Sequence, residues 1–71
     1  MSKFLEFSDK LLQIDKIISL EFLLPNEESD AYWIIIEIEN RIENRYEKEV
    51  FKNIEKFIER HIYLREHLKV I

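Results

Sequence analysis

One stretch of this sequence alternates apolar and polar residues, and a second is rich in β-branched and aromatic residues. These two patterns constrain the fold more than any other feature. From Leu12 to Leu24, six of the seven even-numbered positions are apolar, whereas the odd positions include glutamine, aspartate, serine and glutamate. From Ala31 to Glu39, β-branched and aromatic residues dominate. Because successive side chains of a strand point to opposite faces, this period of two predicts half-buried β-strands.

The alternation and the turn residues between its segments predict four strands. We expect strands at about residues 4–7, 11–14, 17–24 and 31–39. Pro25 to Asp30 is a loop on composition, because proline ends a strand ladder and the residues after it favour turns. The strands on either side of this loop should therefore form a hairpin.

Residues 40–46 admit two interpretations. Asn40 and Arg41 could turn the chain into a short edge strand that runs through Tyr46, and we favour this arrangement. Alternatively, the tandem repeat of Ile-Glu-Asn-Arg at 38–41 and 42–45 could already be helical.

The period changes after Tyr46, where apolar residues follow a spacing of four and three. The stripe consists of Val50, Ile54, Phe57, His61, Leu64, Leu68 and Ile71. Such a stripe predicts an amphipathic helix. We therefore expect an α+β fold, with an antiparallel meander of three or four strands and one long C-terminal helix packed on one face. Residues 1–71 should form one domain, with the sheet at about 3–46 and the helix at about 47–68.

A helix of this length should extend past the sheet. Helical residues 47–71 would span about 37 Å, whereas a strand of eight residues covers about 27 Å. We expect the end of the helix to be exposed, and two copies to bury it by packing antiparallel. The predicted dimer interface consists of His61, Leu64, Leu68 and Ile71. In an alternative, the chain turns near Tyr63 and residues 64–71 form an edge strand.

A second apolar surface should lie on the sheet face opposite the helix. Ile17, Leu23, Trp33 and Ile35 share the parity of that face. Contiguous exposed apolar residues mark interaction sites, and tryptophan is common among binding hot spots. With Glu37 and Glu39, these residues form our predicted protein-binding site, unless the N-terminal strand or a loop covers them.

The residue types argue against most catalytic and cofactor chemistry. The sequence has no cysteine, no threonine and no glycine, so thiolate metal sites and glycine-rich phosphate loops are excluded. His61 and His67 are six residues apart and would point in different directions on a helix. We expect no catalytic residues, no metal site and no cofactor.

Charge is distributed unevenly along the chain. Residues 1–40 carry a net charge of −6 and residues 41–71 a net charge of +2. Lys48, Lys52, Lys56 and Arg60 would form a basic row on the predicted helix, which could track phosphates. Glutamates interleave with this row, so we expect nucleic acid to be an unfavoured partner. An acidic sheet surface suits a basic protein partner better.

These observations favour a protein that acts by binding another protein. We expect a small, acidic, non-enzymatic interaction module that is homodimeric and cytoplasmic, with no membrane partner and no signal peptide. Twelve isoleucines against one alanine suggest a low-GC genome, such as that of a phage or mobile element. A sharper hypothesis is an inhibitor of a larger host protein that handles nucleic acid. The alternative is a nucleic-acid-associated regulator that uses the basic row.

Overall fold

The computed structural model describes residues 3–68, and this part of the chain contains five strands and one α-helix. The elements are β1 (Phe4–Phe7), β2 (Lys10–Gln13), β3 (Ile17–Leu23), β4 (Tyr32–Ile38), β5 (Arg45–Phe51) and α1 (Ile54–Leu68). A single turn of 3-10 helix, Ile14–Lys16, joins β2 to β3. The fold is α+β, as predicted.

The strands form two separate antiparallel units. β1 and β2 make a hairpin, and β3, β4 and β5 make a three-stranded meander with β4 in the centre. Ser8 and Asp9 turn the hairpin, both with positive φ angles, of 53° and 61°. Two-residue hairpin turns favour such angles because their twist matches that of the strands. Here serine and aspartate adopt them in a chain that has no glycine.

The hairpin and the helix both pack on one face of the meander. The core cluster contains residues from the three units of the fold, namely the hairpin, the meander and the helix. They are Leu5, Phe7, Leu12, Ile34, Ile36, Phe57 and Leu64. Phe57 contacts the sheet through the rings of Phe22, Tyr32 and Phe51, at centroid distances of 6.1, 4.9 and 6.2 Å. The other face of the meander is therefore left without a covering layer from the hairpin or the helix.

Strand β5 corrects the predicted start of the helix. A turn followed by an edge strand is present, as we favoured for residues 40–46. The strand, however, begins at Arg45 and continues to Phe51. Residues 47–51, predicted to be helical, are thus extended, and Val50 is not part of a helical stripe. Two charged residues, Glu47 and Glu49, face the hairpin and helix, so β5 lacks the apolar residues that β3 and β4 present on that face.

The two inward-facing carboxylates of β5 hold the three units together. Glu47, only 7% exposed, accepts hydrogen bonds from Lys10 Nζ of β2 at 2.9 and 3.0 Å. Glu49 accepts the backbone N–H of Ser8 at 2.7 Å and the Arg60 guanidinium of α1 at 2.9 and 3.2 Å. Buried carboxylates are tolerated when they are paired and hydrogen-bonded in this way. These contacts fix the hairpin and the helix against β5.

Asn53 sets the start of the helix. Its side-chain Oδ1 accepts the backbone N–H groups of Glu55 and Lys56 at 2.7 and 3.3 Å, and its carbonyl accepts the N–H of Phe57 at 3.1 Å. These are the contacts of an N-cap residue. Glu55 is the carboxylate in the first turn of the helix.

Replacing Asn53 by alanine should lower the free energy of unfolding by about 1 kcal/mol, because first-turn N–H groups lose their acceptor. Asn53→Asp, which keeps a capping oxygen, serves as the control and should retain nearly all the stability. Urea denaturation followed by circular dichroism measures both variants. Equal losses in the two variants would contradict the capping role.

Within residues 3–68, the helix is no longer than the strands on which it packs. Its 15 residues span about 22 Å, and the seven residues of β3 span about 23 Å. Leu64 is fully buried in the core of the same chain, so it is unavailable to a partner. The expected exposure of Leu64 is therefore wrong, whereas a dimer interface at the helix end stays a prediction. Residues 64–68 are helical rather than an edge strand. Ile71 lies outside the described residues.

A register shift near the start of β3 changes the face on which Ile17 lies. Ile17 pairs with Ile38, but the next pair is Ser19 with Glu37, so Ile18 has no partner on β4. Ile17 consequently shares the face of Ile38 and packs against the core. Our prediction that Ile17 belongs to the opposite face is wrong, because simple parity ignores such a bulge.

Candidate functional site

The uncovered face of the meander is the candidate site, and we call it the open face. Antiparallel register places three residues side by side in each of three rows. The rows are Leu23–Trp33–Val50, Glu21–Ile35–Lys48 and Ser19–Glu37–Tyr46. The first row is wholly apolar, the second has an apolar centre between opposite charges, and the third is polar.

The apolar part of the open face is accessible to a partner. Leu23 is 40% exposed and Val50 51% exposed, while Trp33 between them and Ile35 in the next row are half-buried. The N-terminal strand does not cover this patch, because its residues Leu5 and Phe7 pack in the core on the other face of the meander. A flat apolar row centred on an indole is the kind of surface that proteins use for binding.

A hydrogen-bonded carboxylate lies at the polar end of the open face. Glu37 accepts hydrogen bonds from Asn44 Nδ2 at 3.0 Å, from Ser19 Oγ at 3.1 Å and from the Tyr46 hydroxyl at 3.2 Å. The donors come from the β4–β5 turn and from both neighbouring strands. They hold the carboxylate in one orientation on the exposed surface.

The same contacts determine the charge of this group. The hydrogen bonds from Asn44 and Ser19, and less strongly that from Tyr46, hold the pKa of Glu37 below its ordinary value. In turn, Glu37 raises the pKa of the Tyr46 hydroxyl above its ordinary value. Glu37 therefore remains ionised at neutral pH and Tyr46 remains a donor. Such a carboxylate suits the acceptance of a cation better than proton donation, which needs a raised pKa.

Part of this site was predictable from the alternation of residues along β3 and β4. Leu23, Trp33, Ile35 and Glu37 lie together on the open face, as their shared parity predicted. Glu39 is exposed one residue past the end of β4, where its N–H donates to the Lys16 carbonyl at 2.8 Å.

The predicted set left out six residues of the site, of which Ser19 and Glu21 belong to β3. Tyr46, Lys48 and Val50 come from β5, which we had assigned mostly to the helix, and Asn44 precedes that strand. Their alternation with Arg45, Glu47 and Glu49 was a signal for a strand, but both sets contain charges. A search for alternation alone therefore had no apolar face to detect in this segment.

The predicted basic row does not exist as a helical surface. Lys48 lies in β5, and Lys52 precedes the helix and pairs with Asp30 at 2.8 Å. Arg60 is on the helix but pairs with Glu49 at 2.9 Å, with its guanidinium 4.7 Å from the Tyr63 ring centre. Because these cations lie on different elements and two of them are paired, this arrangement gives no support to the nucleic-acid alternative.

Histidine positions reflect packing. The His61 ring lies 4.2 Å from that of Phe22, and the His67 ring lies 4.0 Å from that of Tyr63. Across residues 3–68, no group of three or more histidine or carboxylate side chains is arranged to hold a metal ion. The helix found in this range is too short and too polar to cross a membrane.

Comparison with family models, with curated proteins and with solved structures gave no match to this chain. The functional argument therefore rests on the geometry of the open face.

Proposed function

We propose that this protein is a non-enzymatic interaction module that binds a larger protein through the open face. The observation that carries the proposal is the exposed apolar row Leu23–Trp33–Val50, left uncovered because the hairpin and the helix share the opposite face. A partner that buries this row would gain apolar contact around a half-buried indole, which is the usual chemistry of a hot spot.

The partner's surface should combine an apolar strip with a lysine or arginine. Trp33 and Ile35 supply the apolar contact, and Glu37 lies two residues beyond Ile35 on β4, in the polar row. Because its carboxylate is already oriented by three donors, accepting a cation requires little further ordering. A charged hydrogen bond at the edge of an apolar contact gives orientation and specificity.

A narrower form of the proposal concerns the kind of partner. The net charge of −6 over residues 1–40 favours a basic protein, such as one that handles nucleic acid. The isoleucine-rich, alanine-poor composition supports an origin in a low-GC phage or mobile element, whose small proteins would act by occupying a host protein's surface. The base composition of the gene tests the origin, and the identity of a captured partner tests the rest.

Replacing Trp33 by alanine should weaken partner binding at least about 30-fold, which corresponds to about 2 kcal/mol for loss of a hot-spot side chain. Affinity capture from host extract would identify the partner, and calorimetry with the purified partner would give the dissociation constant. Thermal melting of the variant confirms that it remains folded.

Phe4→Ala provides a matched control, because Phe4 is an aromatic residue that is 53% exposed on the hairpin, away from the open face. It should bind the partner as tightly as the wild type does. A folded Trp33→Ala protein with unchanged affinity would refute the open face as the binding site.

A further inference from the structure

The two edges of the meander differ in how well they are protected against pairing with another strand. β5 has the sequence RYEKEVF, with four charged residues of seven, and the hairpin is tied to it through Glu47 and Glu49. β3 has the sequence IISLEFL, with Glu21 as its one charged residue. Within residues 3–68, β3 pairs with β4 on one side only. Exposed edge strands normally carry charges or proline because free backbone groups recruit other strands.

Exposed apolar residues of the helix lie next to this unprotected edge, in the layer that packs on the sheet. At about 100° per residue, Ile58 and Ile62 lie on the side of α1 opposite Arg60, which reaches towards β5 and the hairpin. His61, on the same side as Ile58, contacts Phe22 of β3. Ile58 and Ile62 therefore flank the β3 edge, and they are 47% and 50% exposed.

We propose that a second copy of this chain docks on this surface, with the two β3 strands antiparallel about a two-fold axis perpendicular to the sheet. The result is a continuous six-stranded sheet with the two helices side by side on one face. A helix about 10 Å wide covers two strands spaced about 4.8 Å apart, so neighbouring helices come into contact above the β3–β3 junction.

The surface is complementary to itself under this symmetry. Leu24, 66% exposed just past the end of β3, approaches the start of the partner's β3. There the structure has an apolar depression lined by Ile14, Ile17, Ile18, Ser19, Leu20 and Leu68. On the helix, exposed Glu55 near the start and exposed Arg65 near the end face each other when the helices run antiparallel. Closed dimers require such matching of one patch with itself.

This surface is separate from the open face, because the docked strands extend the sheet sideways. The dimer therefore presents two open faces on one side of a single sheet, and a partner could bind both. The inference is independent of the proposed function: dimerisation is measured on the purified protein alone, and partner binding with the Trp33 variant.

Sedimentation velocity over a range of protein concentrations tests the dimer. The wild type should be dimeric at tens of micromolar, and Ile58→Lys with Ile62→Lys should raise the dimer dissociation constant at least about 100-fold by placing charges at the buried helix contact. Leu24→Lys, which lies outside β3, acts on the sheet layer and should give the same loss. If the helix double variant does not fold, the sedimentation of Leu24→Lys alone tests the proposed dimer.

Ile42→Lys is the matched control, since Ile42 is 96% exposed in the β4–β5 turn, and it should remain dimeric. Hydrogen exchange adds a local measure: outward-facing amides of β3 should become more protected as concentration rises. A wild type that is monomeric at 1 mM, on the order of the weakest specific association, would overturn the inference. So would a dimer that survives Leu24→Lys or that Trp33→Ala dissociates.

Discussion

Replacing Leu64 by alanine should lower the free energy of unfolding by about 3–4 kcal/mol, a large part of the stability of a domain this small. Leu64 is fully buried and packs in the core cluster with Phe57 of the same helix. Truncation leaves a cavity between the helix and the sheet in addition to the lost apolar transfer energy. Chemical denaturation monitored by circular dichroism gives the difference.

The control is Ile62→Ala on the same helix, where the side chain is 50% exposed. It should cost about 1 kcal/mol or less when measured at concentrations low enough to keep the protein monomeric. If instead the loss for Leu64→Ala depended strongly on protein concentration, Leu64 would contribute to a contact between chains, as the sequence first suggested.

This contrast shows which part of the helix could be predicted. The spacing of Phe57, Leu64 and Leu68 correctly placed them on one helical face, and all three contact the core. Val50 fits the same spacing but belongs to β5, because periodicity does not identify where a helix begins. The Asn53 cap was a local signal for that boundary, and using it would have shortened the helix and removed the expected overhang.

Strands β3 and β4 were predictable because their apolar residues face one packed layer. β5 was not, since Glu47 and Glu49 occupy the face where apolar residues were expected. Their compatibility with burial depends on Lys10 and Arg60, which lie 37 and 11 residues away in the sequence. Contacts of this kind come from the tertiary fold and leave no periodic pattern within the strand.

The open face was predicted to the extent that it belongs to one hairpin. The alternation of residues along each strand was enough to group Leu23, Trp33 and Ile35. The residues that β5 contributes to the open face could be placed only by knowing that β5 pairs with β4. The prediction placed Ile17 on the wrong face because the register shift at Ile18 puts Ile17 on the face opposite to the one that simple alternation gives. A one-residue bulge is thus enough to move a side chain from a binding surface into a core.

Arg60 joins the helix, the sheet and the hairpin, and its loss should be nearly as damaging as the loss of a core leucine. The guanidinium donates to both carboxylate oxygens of Glu49 and to the Glu6 carbonyl, and it lies 5.7 Å from the Phe7 ring centre. Both members of the Arg60–Glu49 pair are largely shielded, with side-chain exposures of 21% and 18%. Removing the cation would leave the carboxylate without its main partner in a poorly solvated position.

We expect Arg60→Met, which keeps much of the apolar contact of the side chain, to lower the free energy of unfolding by about 2–4 kcal/mol. Arg65→Met, on the exposed side of the same helix, should change it by less than about 0.5 kcal/mol at concentrations low enough to keep the protein monomeric. Because Arg60→Met leaves the shielded charge of Glu49 without its main partner, the double variant Arg60→Met with Glu49→Gln should recover part of the loss. Equilibrium urea unfolding of the wild type, the two single variants and the double variant gives these differences in the free energy of unfolding. An Arg60→Met protein as stable as Arg65→Met would show that the contact between Arg60 and Glu49 contributes little to stability.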